Sequence, residues 1–341
     1  MMISAVWFGL SVVACCSLAG PMGRLLGVID YPDGGRKSHA RPTPMVGGIA
    51  LMVPLLLVAL VKTLLGEAPV GIFVTLVVVG LGFLILGWYD DRQHAPPSAR
   101  LIVSSGLFGA VILLQPDLLL SEIDLGPQFG VIPLWSLSFP FTIVCLVGLQ
   151  NSVNMVDGMN GLLIGLALFW TGCLMFYAPD HLTVYLQFLM LGLLILLPYN
   201  LLGALFLGDA GSYSIGATIG ILMIYCYNQA DGALPMLTVV LWLLVPVVDC
   251  LRVMVARLIN DRSPLSPDEN HLHHRLARHW RWPICLIIYL AVVASPGLVG
   301  AIWPKATLAM MLLAGTAYLG LLWVTRLPRA ASAEGAPKLI I

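Results

Sequence analysis

Residues 70–92 read VGIFVTLVVVGLGFLILGWYDDR. The stretch 70–88 carries no charge, and two adjacent acids and an arginine follow it. An apolar run of about 20 residues is what a helix needs to cross the hydrocarbon core of a bilayer. Residues 70–88 are therefore expected to form a membrane span that ends at Asp90 and Asp91. The C-terminal end of a helix is already the negative end of its dipole, so two acids there need a cation nearby. A metal, Arg92 or Arg100 could supply it. Neighbouring helical side chains point about 100° apart, so the two acids are expected to have different tasks.

The same pattern recurs along the chain. About eleven runs qualify as spans, near 3–20, 46–65, 70–88, 100–116, 135–150, 161–178, 183–199, 214–228, 235–253, 284–300 and 307–325. The 341 residues are 59% hydrophobic and only 10% charged, where a soluble domain carries roughly 25% charged residues. Mean hydropathy is +0.95. The fold class is an all-α polytopic membrane protein in which lipid, not a soluble core, covers the apolar surface. A net charge of zero leaves no basic footprint for nucleic acid. The first run has no cation before it, unlike a cleaved signal, so a retained first span with its N-terminus outside is expected. With that start, 15 of the 17 Lys and Arg fall on the inside, and only Lys62 and Lys305 fall outside. The C-terminus is then expected to be cytoplasmic. One domain is expected over 1–341, with a flexible tail from about 326. The seven cysteines form no CxxC pair and read as small core residues.

The outside connections are short and bland, apart from a Pro/Gly-rich excursion at 117–134 that suits short strands. The inside connections carry the unusual residues. Segment 30–48, DYPDGGRKSHARPTPMVGG, joins Lys37, His39 and two arginines to turn-forming Pro and Gly. Segment 150–161, QNSVNMVDGMNG, places Asn151, Asn154, Asp157 and Asn160 at spacings of three, which shares a helical face. Segment 207–214, LGDAGSYS, sets Asp209 in a glycine turn whose backbone N–H groups could meet a phosphate. Segment 249–275, DCLRVMVARLINDRSPLSPDENHLHHR, brings His271, His273 and His274 among Arg252, Arg257, Arg262 and Arg275. Zinc has no cysteine partner here, and the carboxylates favour hard Mg²⁺. Acids, cations and glycine turns at one membrane face are the parts of phosphoryl chemistry.

In order, RKSHARPTPMVGG, GWYDDR, NSVNMVDGMNGL, LGDAGS and SPDENHLHH resemble the polyprenyl-phosphate N-acetylhexosamine-1-phosphate transferases, glycosyltransferase family 4. The resemblance runs from about residue 28 to 275, and SPDENHLHH points to the WecA-like branch over the MraY-like one. It implies transfer of GlcNAc-1-phosphate, or a related N-acetylhexosamine-1-phosphate, from the UDP-sugar to undecaprenyl phosphate. The products are sugar-diphospho-undecaprenol and UMP, with Mg²⁺ (or Mn²⁺ substituting), at the start of O-antigen and related cell-surface polysaccharide synthesis. By the same resemblance Asp209 and Asn154 are metal-side residues, and Asp90 and Asp91 orient or deprotonate the lipid phosphate. Arg100 stands near the phosphates, and Arg257, His271, His273 and His274 on the pyrophosphate and sugar side. Where most bacterial relatives read DGxDG, this chain reads Asp157-Gly158-Met159-Asn160-Gly161. That leaves Asp157 as the acid of its segment and Asn160 for uracil. Direct attack of the lipid phosphate on the β-phosphorus is the expected course, with a phospho-aspartyl intermediate as the alternative. A transporter, the rival class, would place ionisable groups mid-span and show inverted repeats. GxxxG patterns at Gly161/Gly165 and Gly216/Gly220 are compatible with close helix packing, within the chain or in a homodimer.

Overall fold

The computed structural model describes residues 2–32, 41–66, 69–126, 129–266 and 269–326. Lys37, His39 and the tail beyond 326 lie outside the described residues. The chain divides into two compact units, 1–234 and 235–340.

The first unit contains α1 (Met2–Ser17), α2 (Ala19–Leu26), α3 (Gly47–Leu64), α4 (Val70–Gln93), α5 (Pro97–Leu114), α6 (Ser138–Val156), α7 (Leu162–Leu174), α8 (Asp180–Leu201) and α9 (Gly208–Gln229). Two short antiparallel ribbons interrupt the helices. One pairs β1 (Ile29–Asp30) with β2 (Thr43–Pro44); the other pairs β3 (Glu122–Asp124) with β4 (Val131–Pro133), the excursion expected at 117–134. The second unit contains α10 (Met236–Ile259), α11 (Leu272–His279), α12 (Trp282–Ile302) and α13 (Thr307–Val324).

Nine helices among the described residues are long and apolar enough to cross a membrane. α1 and α2 form a tenth candidate, bent by 67° at Leu18. The remaining expected run, 161–178, appears as α7, whose 13 residues span about 20 Å at 1.5 Å per residue. That is shorter than a hydrocarbon core of about 30 Å. α7 is buried along most of its length and packs on α8 and α9.

α9 is the axis of the first unit. Every residue from Ala210 to Tyr227 is buried, and α3, α4, α6 and α7 all pack on it. Small residues make this crowding feasible, since they let helix backbones approach. A Cβ built on Gly48 would stand 2.2 Å from the Gly211 Cα, and one on Gly87 would stand 2.3 Å from the Asp209 carbonyl oxygen. Gly216 and Gly220 abut Val153, Leu146 and Leu149 of α6. This second GxxxG pattern is consumed inside the chain, so it supplies no dimer face. Gly48→Ala is expected to overpack the α3–α9 contact and cost roughly 1–3 kcal/mol. Melting in detergent checks this: Gly48→Ala should melt well below wild type, while Gly106→Ala, with nothing within 4 Å of its Cβ, should not. Equal melting of the two variants would mean that the contact is not tight.

Candidate active site

The last turn of α4 grips the first turn of α9. Asp91 Oδ1 accepts the Asp209 N–H at 2.8 Å, and Oδ2 accepts the Ala210 N–H at 3.0 Å. A helix N-terminus leaves such N–H groups unsatisfied and favours a negative charge beside them. Asp91 therefore caps α9 from another helix. Gly208 must be glycine for this, because it sits at φ 71 and a Cβ there would come within 2.7 Å of Asp91 Oδ2. The expectation that this turn offers its backbone to a phosphate is thus corrected for residues 209 and 210, whose N–H groups Asp91 already holds.

Asp90 points elsewhere, as their adjacency on a helix requires. It is 3% exposed. Its Oδ1 accepts the Ala95 N–H at 2.8 Å, and its Oδ2 accepts Arg100 Nη1 at 2.9 Å and the Tyr213 hydroxyl at 2.5 Å. Arg100 Nη1 also donates to the Tyr213 oxygen at 2.9 Å. The cation needed at the end of α4 is therefore Arg100. Arg92 lies instead over the Trp88 ring, 5.8 Å from its centroid.

From α6, Asn154 Oδ1 accepts the Ser212 hydroxyl at 2.7 Å, which ties α6 to the turn carrying Asp209. Asp157 follows as the C-cap of α6, and its carboxylate takes no hydrogen bond among the described residues. Withdrawal from solvent, then the nearby Asp209 charge, pushes the Asp157 carboxyl up to about 8. Asp90, Asp91, Asp157 and Asp209 lie close enough for their charges to act on one another. Four carboxylates thus lie near one another, with the Arg100 guanidinium paired to Asp90 and its charge reaching Asp209. Asn160 sits in the 157–161 turn, near Gly203. Asn200 fixes that turn: its Oδ1 accepts the Gly161 N–H at 2.6 Å and its Nδ2 donates to the Leu205 carbonyl at 3.1 Å.

In the second unit the expected inside connection proves helical as far as Ile259, so Asp249 lies mid-helix in α10. Arg257 is buried and donates to the Pro264 carbonyl at 2.6 Å. His271 caps α11 and bonds Asp249 through Nδ1 at 3.0 Å. His273 is fully buried, and neither ring nitrogen has a partner among the described residues. Burial first, then His274 and His271, drive its ionisation well below the usual histidine range, so at neutral pH it is an uncharged ring. Burial and the His271 charge lower His274 too.

The structure gathers six of the expected residues, Asp90, Asp91, Arg100, Asn154, Asp157 and Asp209, in the first unit. Arg257, His271, His273 and His274 belong to the second. Asn200, Ser212, Tyr213 and Asp249 were given no role from sequence. Asp249 carried one signal, an ionisable group inside an apolar run. Asn200 carried another, an amide just after Pro198 at the end of an apolar run.

The profile of glycosyl transferase family 4 matches residues 72–227, from α4 to the end of α9. The decaprenyl-phosphate N-acetylglucosaminephosphotransferase of Mycolicibacterium smegmatis is 30% identical over 300 residues, covering 78% of this chain and 73% of the relative. The undecaprenyl-phosphate alpha-N-acetylglucosaminyl 1-phosphate transferase of Yersinia pestis is 32% identical over 267 residues, covering 74% and 70%. The Thermotoga maritima protein of the same description is 29% identical over 265 residues, covering 76% and 77%. The matched segment contains every residue of the carboxylate cluster, and the likeness extends over most of the chain and most of each relative: the chain belongs to glycosyl transferase family 4 and is a sugar-phosphate transferase.

Proposed function

We propose that this enzyme transfers GlcNAc-1-phosphate, or a related N-acetylhexosamine-1-phosphate, from a UDP-sugar to undecaprenyl phosphate. The product opens the synthesis of a cell-surface polysaccharide such as O antigen. The observation that carries this reading is the carboxylate cluster at the α4, α6 and α9 ends, with Arg100 as its guanidinium partner. Its donors are all oxygens, which suits Mg²⁺ and not Zn²⁺. Asp209 and the Asn154 carbonyl oxygen would hold the ion. A bound Mg²⁺ supplies charge neutralisation on the diphosphate.

An oxygen of the lipid phosphate forms a bond to the β-phosphorus of the UDP-sugar. The bond from that phosphorus to the bridging oxygen breaks, and UMP leaves with the electron pair. Arg100, pinned by Asp90 and Tyr213, keeps further N–H groups for a phosphate. Asp157, at the end of α6 and within reach of the Asp209 charge, would take the proton of the lipid phosphate. Asp90 and Asp91 orient their neighbours through the bonds described above. Asn160 reads the uracil edge: an amide can donate to O4 and accept from N3–H, whereas an ionised Asp can only accept. Arg257, His271, His273 and His274 serve the pyrophosphate and sugar.

Asn160→Ala is expected to raise KM for UDP-GlcNAc about tenfold with little change in kcat, because a buried edge loses its partner. Asn160→Asp should keep part of the activity. A large kcat loss at unchanged KM, rescued by Asp, would make position 160 catalytic. The inside placement of the loops predicts that a cysteine at Ser263 is labelled only from the cytoplasm and one at Ser121 only from the opposite side; mixed labelling would contradict it. The function is tested by incubating the purified chain with undecaprenyl phosphate, Mg²⁺ and either UDP-GlcNAc or UDP-MurNAc-pentapeptide. UMP should appear with the first donor and require the lipid; release only with the second would reassign the enzyme to the MraY-like branch.

A further inference from the structure

Asp249 is 1% exposed, and five hydrogen bonds converge on its carboxylate. Oδ1 accepts Arg252 Nε at 3.2 Å, Arg252 Nη2 at 2.8 Å and the Tyr318 hydroxyl at 2.9 Å. Oδ2 accepts the Leu272 N–H and faces His271 Nδ1, both at 3.0 Å. Four of the donors are fixed as donors, and a carboxylate accepts only, so the shared proton with His271 sits on Nδ1. The His271 ring is also held on its face, stacked on His273 with centroids 5.7 Å apart and planes 8° apart. Edge and face are therefore both fixed, and Nε2 is the nitrogen without a partner among the described residues. The charge of this carboxylate acts in turn on His273, His274, Arg275 and Tyr289, and Glu269 and Arg278 act on His274.

We propose that Asp249 is a positioning residue for nucleotide-sugar binding: it holds the His271 imidazole by Nδ1 and so presents Nε2 to the substrate. This rests on the assignment of His271 to the sugar and pyrophosphate side. An acid that orients a histidine in this way sets both its tautomer and its direction. The bond to the Leu272 N–H adds a second hold, because it fixes the start of α11, where His271 is the cap.

The test has two arms. Nitrogen NMR of the wild-type chain with labelled histidine, the His271 signal being identified by its loss in His271→Ala, should show Nδ1 protonated. An unprotonated Nδ1 overturns the proposal, and this arm needs no folded variant. In the second arm, Asp249→Asn should raise KM for UDP-GlcNAc about tenfold or more, the usual size for loss of an orienting partner. kcat and KM for undecaprenyl phosphate should stay near wild type, and Asp249→Glu should restore part of the affinity. The double variant with His271→Ala should bind no worse than His271→Ala alone, since the two act as one unit. An unchanged KM, with kcat falling in step with the folded fraction, would show that Asp249 is structural only. If the wild type releases no UMP, or His271→Ala leaves KM unchanged, the assignment of the site fails, whereas a normal His271→Ala effect beside an inert Asp249→Asn sinks the positioning role alone.

Discussion

Asp209→Asn is expected to lower turnover by about a thousandfold or more while the protein inserts, purifies and melts normally, a loss typical of removing the charge that holds a phosphoryl-transfer site together. The side chain keeps its shape, and the backbone N–H that Asp91 accepts is untouched. What disappears is the carboxylate of the turn between Gly208 and Gly211. Binding of Mn²⁺, followed by its electron spin resonance, should fall in parallel. A Mg²⁺-dependent rate near wild type, or unchanged Mn²⁺ binding, would remove Asp209 from the metal side of the site.

Asp91→Asn separates two roles that the sequence alone leaves together. If Asp91 is the cap seen here, asparagine keeps one acceptor and turns an NH₂ against an N–H donor. The turn bearing Asp209 then loses roughly 3 kcal/mol of support, two charge-assisted bonds' worth. That amounts to about a hundredfold loss at limiting Mg²⁺, since every 1.4 kcal/mol is a factor of ten. Raising Mg²⁺ should recover most of kcat, and Mn²⁺ affinity should fall. If Asp91 instead removed a proton, kcat would drop by about 10²–10⁴ at every Mg²⁺ concentration, with Mn²⁺ binding intact. That second pattern would contradict the capping role.

Much of this was legible in the residues. The uncharged run 70–88 and its acid pair gave α4, and the dipole argument required a cation that proved to be Arg100. Neighbour geometry on a helix gave Asp90 and Asp91 separate partners. Asp157 and Asp209, from separate segments, lie near enough for the Asp209 charge to act on Asp157, and Asn154 bonds Ser212 in the turn that carries Asp209. What hydropathy and spacing could not show was partnership across the chain. Asp91 and Ala210 are 119 residues apart, and nothing in local pattern marks an acid as the cap of a distant helix. Tyr213 lay inside a quoted segment, but its hydroxyl gains meaning only when α9 packs against α4. Asp249 fell where the expected span 235–253 overlaps the quoted segment 249–275, and the polar residues after it masked the continuation of α10 to Ile259. The expected run 161–178 holds the 13-residue α7, which begins after the positive-φ Gly161 and stops at Leu174; the bond from the Gly161 N–H to Asn200 at the end of α8 shows that α7 and α8 leave and return to one place.

The central claim is that the β-phosphoryl group and its sugar pass together to the lipid. The most direct measurement uses UDP-GlcNAc radiolabelled at the β-phosphorus, with purified enzyme, undecaprenyl phosphate and Mg²⁺. The label should move entirely into the lipid fraction, in equal amount to unlabelled UMP, and only when both Asp209 and the lipid phosphate are present. Label remaining in a water-soluble nucleotide while sugar reaches the lipid, or no lipid label at all, would contradict it.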